Sequence, residues 1–195
     1  MPNTKPSARD PIELGAGQLI DLTIAANDLA ANDADVNAYE VRNALLLKRR
    51  KERIRYQNGY TLPASAELLL ANAQKDSYNH RRTLARNIDK IAATPRPENV
   101  CAHHIVARAD REAERARRRL FGWGIGINDG DNGVYLPMHS VGMPGFPDAT
   151  HHSPYHSPGY HLAVYMRLLQ EQEAEGGRQE LRSIKADLLA GKMSL

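Results

Sequence analysis

Asn99-Val100-Cys101-Ala102-His103-His104-Ile105-Val106 and Asn128-Asp129-Gly130-Asp131-Asn132-Gly133-Val134-Tyr135-Leu136-Pro137 are the two stretches from which the architecture is read. The first is a β-branched run that turns polar, the pattern of a short strand. The second opens on a dense Asn/Asp/Gly turn signal and continues as a second strand. Between them, Asp110 to Leu120 reads as a helix carrying Arg111, Arg115, Arg117, Arg118 and Arg119, broken by Gly122, Gly124 and Gly126. After them, residues 138–155 read as a loop with Pro144, Pro147 and Pro154. Ser157-Pro158 then opens a helix through Tyr160, Val164, Tyr165, Leu168 and Leu169, with proline in the first turn. An amphipathic helix from about Arg178 to Leu189 closes the chain.

Upstream the texture differs. Residues 1–12 hold prolines and small polar residues without apolar period and read as a disordered tail. The apolar spacing of Leu19, Ile20, Leu22, Ile24 and Leu29 predicts a helix. A second is predicted from Val36 to about Tyr56, strongly cationic over 48–55, with Gln57-Asn58-Gly59 as its stop. A third starts at Pro63, Ser65 and Glu67 and runs to Ile88 and Ile91, ended by Pro95 and Pro97. The expected organisation is a tail (1–12), a helical N-terminal region (13–95) and a mixed domain with C-terminal helices (96–195). The fold class is α+β, mostly helical.

The chain has 195 residues, 42% hydrophobic and 25% charged, which suffices for a buried core. A mean hydropathy of −0.56 and no apolar run near 18 residues argue against a membrane span. The first residues have no apolar stretch behind their cations, unlike a secretory signal. Cys101 is the single cysteine, which excludes an internal disulfide and any multi-cysteine zinc knot, and suits a reducing compartment. The formal charge of +3 is unevenly spread: residues 1–40 carry −5, 41–120 carry +11 and 121–195 carry −3. Such a central block suits a polyanionic partner or, more plainly, solvated helix faces. Seven of the eight histidines lie between 103 and 161. Imidazole supplies metal ligands and near-neutral bases, so the cluster points to a metal or catalytic site.

Five blocks in order carry a resemblance: Ala102-His103-His104-Ile105-Val106, Gly126-Ile127-Asn128-Asp129, Asn132-Gly133-Val134-Tyr135-Leu136-Pro137, His152-Ser153-Pro154-Tyr155-His156-Ser157, and Tyr160 with Val164. Together they resemble the AHH family of nucleases within the HNH and endonuclease VII (ββα-metal) superfamily. That resemblance implies a ββα-metal core over about residues 99–170 and a metal-dependent, sequence-nonspecific endonuclease acting on DNA. It also implies a bacterial toxin delivered into competitor cells. Such a protein would be cytoplasmic in the producer, exported by a contact-dependent system, and active in the target-cell cytoplasm. A cognate immunity protein and a secretion chaperone or delivery protein would be its partners. An RNase on the same fold, or a non-catalytic metal-stabilised nucleic-acid-binding module, are the alternatives.

The chemistry needs an activated water and neutralisation of charge on the phosphate and the leaving oxygen. A neutral imidazole accepts a proton at physiological pH. Carried over from the resemblance, His104 is the general base and His103 a metal ligand, with His156 the second. Asn132 either orients the base or closes the loop, and His152 binds the metal or contacts phosphate. The metal is one divalent ion: magnesium, manganese, zinc or nickel. Successive side chains on a strand point to opposite faces, so His103 and His104 need a bend at the strand end to share one site. Arg108 and Arg111 are the expected phosphate contacts. Cys101 reads as a small buried strand residue, Tyr135 and Tyr160 as packing aromatics, and His139 and His151 as loop surface. His161 lies outside the family pattern, on a helix that can turn it inward.

Overall fold

A computed structural model describes residues 42–46, 53–75, 79–138, 142–149, 151 and 157–193. The chain divides into two compact units, Met1–Arg53 and Ile54–Leu195. In the first unit residues 42–46 are helical, within the second predicted helix. The tail and the helix expected over 18–29 lie outside the described residues.

The second unit starts with a hairpin, not a helix end. Strands β1 (Tyr56–Gln57) and β2 (Tyr60–Thr61) pair antiparallel, with Tyr56 opposite Thr61. Asn58 and Gly59 both have positive φ, 50° and 86°. An Asn-Gly pair takes these angles readily and matches the twist of a two-residue hairpin. The same residues that read as a helix stop are therefore a hairpin turn. Gly59 is also required sterically, since a Cβ there would lie 2.5 Å from Ile91 Cγ2 and 2.6 Å from the Asn87 carbonyl oxygen.

The single long helix expected from Ser65 to Ile91 is two helices. α1 (Ala66–Ala73) is capped by the Ser65 hydroxyl, which accepts from Leu68 N, and α2 (His80–Ile91) by the Asn79 side chain, which accepts from Arg82 N. A second N-cap restarts the helix because its oxygen satisfies a first-turn N–H that has no intrahelical partner. These elements pack on the downstream ones within the compact unit Ile54–Leu195.

Strand β3 (Val100–His104) and strand β4 (Gly133–Pro137) form the second antiparallel sheet, with His103 opposite Val134 and His104 opposite Gly133. Gly133 lets α2 approach: a Cβ would lie 2.7 Å from both Ile88 Cδ1 and Leu84 Cδ1. The arginine-rich helix α3 spans Glu114–Gly122, one turn later than expected, leaving Arg111 outside it. A short 3₁₀ turn, Gly130–Asn132, leads into β4. Helix α4 (Pro158–Leu169) opens as read, with Pro158 in its first turn and the Ser157 hydroxyl accepting from Tyr160 N at 3.1 Å. Helix α5 runs Ala174–Leu189, starting one turn before Arg178, and Gly177 within it lies against the Trp123 ring, where a Cβ would sit 2.5 Å from it.

The core gathers Leu69 of α1, Leu120 of α3, Leu136 of β4, Tyr160 and Leu168 of α4, and Leu181 and Ile184 of α5, all fully buried. A second cluster joins Leu84 and Ile88 of α2 to Val100 and Tyr135. Strand pair followed by α4 is thus the ββα arrangement, wrapped by helices on both sides. Among the described residues no helix is long and apolar enough to cross a membrane.

Candidate active site

His104 is the last residue of β3 and His103 the one before it, so the strand period sends them to opposite faces of the sheet. His103 is buried and meets the ring of Tyr160 on α4 edge-on, with centroids 5.9 Å apart. His104 turns the other way, and its Nε2 lies 3.0 Å from Asn128 Oδ1. The chain bends just past the strand end, so both nonetheless line one cavity of about 370 Å³. Arg81, Arg108 and Asp110 are also in its wall.

Removal from water holds the His104 imidazole well below its ordinary 6.5, at about 4, with His80 and Arg108 pushing the same way and the Asn128 bond opposing them. The imidazole is therefore neutral at physiological pH and keeps a lone pair. Cys101, in the same wall, is buried, and burial raises its thiol above the usual range. It stays an unreactive thiol, as a buried strand cysteine does.

Asn132 is fully buried, and its polar groups are directed at backbone. Its Oδ1 accepts from Val106 N at 2.8 Å, and its Nδ2 donates to Ile127 O at 2.8 Å and to Val106 O at 3.3 Å. Its own carbonyl accepts from Ile105 N at 2.9 Å. These are the bonds of a residue that closes the loop, tying the chain beyond His104 to the turn before β4.

The predicted phosphate contacts separate. Arg108 lines the cavity and donates from Nη1 to the Ala73 carbonyl at 2.9 Å, which joins the site to α1. Arg111 is exposed on the segment before α3. Arg117 has a holding role, donating from Nη1 to the carbonyls of Ala107 and Asp110. Arg81, exposed on α2 and in the cavity wall, was not singled out in the sequence, although it lies in the cationic start of a helix beside His80.

His152 and His156 lie outside the described residues. His161, set aside in the sequence as outside the pattern, is fully buried on α4, and neither ring nitrogen finds a hydrogen-bond partner among the described residues. Its Nε2 lies 3.3 Å from Asp110 Oδ2. The Tyr160 ring touches the rings of both His103 and His161. Among the described residues no three histidine, cysteine, aspartate or glutamate side chains converge as a metal cluster. An imidazole nitrogen and a carboxylate oxygen 3.3 Å apart are nonetheless a donor pair that suits a divalent cation.

A family model described as a nuclease family of the HNH/ENDO VII superfamily with conserved AHH matches residues 84–189, more than half of the chain. The chain belongs to the AHH nuclease family. No curated protein and no solved structure matches it. The match to this nuclease family spans β3, β4, α4 and α5. It leaves out the β1–β2 hairpin, α1 and His80, although all of them pack in the same compact unit.

Asn128 is the residue whose role the sequence did not disclose. It lies in one of the five motif blocks, but its bonds to His104 and to His80, 48 positions away, appear only in the folded chain.

Proposed function

We propose that this AHH nuclease is a metal-dependent, sequence-nonspecific endonuclease of DNA in which His104 is the general base. The observation that carries the reading is the neutral His104 at the end of β3. It is held by Asn128 in the wall of a cavity shared with His103, Arg81 and Arg108. His104 takes a proton from water, the resulting hydroxide attacks phosphorus, and the bond to the leaving 3′-oxygen breaks. Arg108, Arg111 and Arg81 hold the phosphate backbone without reading bases. Asn132 closes the loop that presents His104.

A divalent cation, when bound, neutralises charge on the phosphate and the leaving oxygen. His103 and His156 are the residues that would hold it. His152 serves as a further ligand or phosphate contact, and the His161–Asp110 pair adds donors from α4 and the segment before α3. The identity of the metal is left to magnesium, manganese, zinc or nickel. We further read the protein as the toxic effector of a bacterial contact-dependent system, restrained in its producer by an immunity protein. The support for this is the family resemblance and the basic central block, which suits an acidic binding partner.

The test is conversion of supercoiled plasmid by the purified chain and by its His104→Ala variant, each with magnesium, manganese, zinc or nickel and with excess EDTA. The wild type is expected to nick or cut, chelator to stop it, and the folded variant to be slower by about a hundredfold or more. Cleavage that persists in EDTA, or an equally active His104→Ala, overturns the assignment.

A further inference from the structure

We propose that Asn128 and His80 are positioning residues that dictate which ring nitrogen of His104 keeps its lone pair, an inference that rests on His104 being the base. One atom in the chain of contacts has no choice of role. The Lys75 carbonyl oxygen can only accept, and His80 Nε2 lies 3.0 Å from it. His80 Nε2 therefore carries a hydrogen, and in the neutral ring Nδ1 is then the acceptor.

The nearer amide atom of Asn128 to that Nδ1 is Nδ2, at 3.0 Å against 3.3 Å for Oδ1. With Nδ2 donating to His80, the amide oxygen faces His104 Nε2 at 3.0 Å and accepts from it. His104 consequently bears its hydrogen on Nε2 and its lone pair on Nδ1. One backbone carbonyl thus sets the tautomer of the base through two intervening side chains.

With both imidazoles neutral, the alternative arrangement is blocked at each link. Turning the Asn128 amide over would set its oxygen against the His80 lone pair. Exchanging the His80 tautomer to relieve that would set a lone pair against the Lys75 carbonyl. Asn128 cannot withdraw from the contact, because it is fully buried and its backbone carbonyl accepts from Asn87 Nδ2 at 2.7 Å. His80 and Asn87 are two turns apart on α2, so this helix grips Asn128 by side chain and backbone together. His80 itself is buried and lies outside the family-matched segment.

The experiment is a long-range proton–nitrogen spectrum of the full chain labelled with ¹⁵N-histidine, in EDTA at neutral pH, with the His104 signals identified by their loss in His104→Gln. The wild type is expected to show His104 with its hydrogen on Nε2. His80→Leu, which keeps bulk but accepts nothing, is expected to lose this preference. It should also lower kcat by about a hundredfold at unchanged KM in metal-supported plasmid cleavage. His80→Gln offers an oxygen to Asn128 and an N–H to Lys75, and is expected to restore both. A wild-type His104 with its hydrogen on Nδ1 overturns the proposal without any variant having to fold, as does an unchanged tautomer in His80→Leu. Should His104→Ala cut at the wild-type rate while the wild-type tautomer is as stated, the base assignment fails and the relay stands.

Discussion

At the scale of single residues, the burial of His104 has a consequence for stability. Its imidazole takes a proton near 6.5 when exposed but only near 4 in the folded chain, chiefly because it is removed from water. Between those values the unfolded chain binds more protons, so stability falls as pH is lowered through the window and is fully present above it. Urea unfolding of the metal-free chain at pH 7, 5.5 and 4.5 is expected to show a steeper loss in the wild type than in His104→Gln. Parallel losses in the two proteins would show that His104 is not the group responsible. Asn132 illustrates the opposite case, a polar residue whose importance lies in backbone bonds and not in titration. Nothing on it can move a proton, yet it fixes the chain on both sides of the active-site bend.

Among the elements, α5 acts as a clamp on the turn before β4. Arg178 donates to both oxygens of Asp129, at 2.9 and 3.1 Å, and Arg182 to both oxygens of Asp131, at 3.0 Å each. Arg178 also reaches Asp131 Oδ2 at 2.9 Å. Both carboxylates are fully buried, and Asp129 Oδ2 additionally accepts from Thr61 N and Thr61 Oγ1 of the hairpin, at 2.7 and 2.6 Å. Paired forks of this kind are well satisfied, but removal of one partner leaves a charge with no water to take its place. Arg178→Met is therefore expected to destabilise the chain by about 3 to 5 kcal/mol in urea unfolding. Arg118→Ala, which loses only an exposed pair with Glu114, should move the midpoint little. Equal effects from the two would mean that α5 does not hold the turn. Because this turn carries Asn128 and Asn132, the clamp also steadies the residues behind His104.

Taken whole, the nuclease unit is larger than its family segment. The hairpin contacts the turn through Thr61 and through Gly59, whose carbonyl accepts from Gly130 N at 2.9 Å. Leu69 and Ala73 of α1 belong to the main core, and α2 begins before the matched residues. A chain starting at Ile54 is expected to unfold in one cooperative transition. A chain starting at Leu84 has lost the hairpin, α1 and the first turn of α2, and should lack that transition by near-ultraviolet circular dichroism. A cooperative Leu84 chain would show that the upstream elements are dispensable to the fold.

What the sequence determined by itself was local. The paired histidines at a strand end, the Asn/Gly turn before β4 and the Ser157-Pro158 helix start are each signalled by residues a few positions apart, because strand period, turn chemistry and capping act over that range. The hairpin was misread on the same local scale, since Asn58-Gly59 serves a helix stop and a two-residue turn equally well until a partner strand is known. Tertiary structure alone decided the rest. It put α2 behind His104, turned His161 toward Asp110, and assigned Asn128 to the space between two imidazoles. Those contacts join residues 24 to 51 positions apart, and burial is what makes each of them binding. A polar group cut off from water must find a partner inside the fold, and which partner lies within reach depends on how the helices pack.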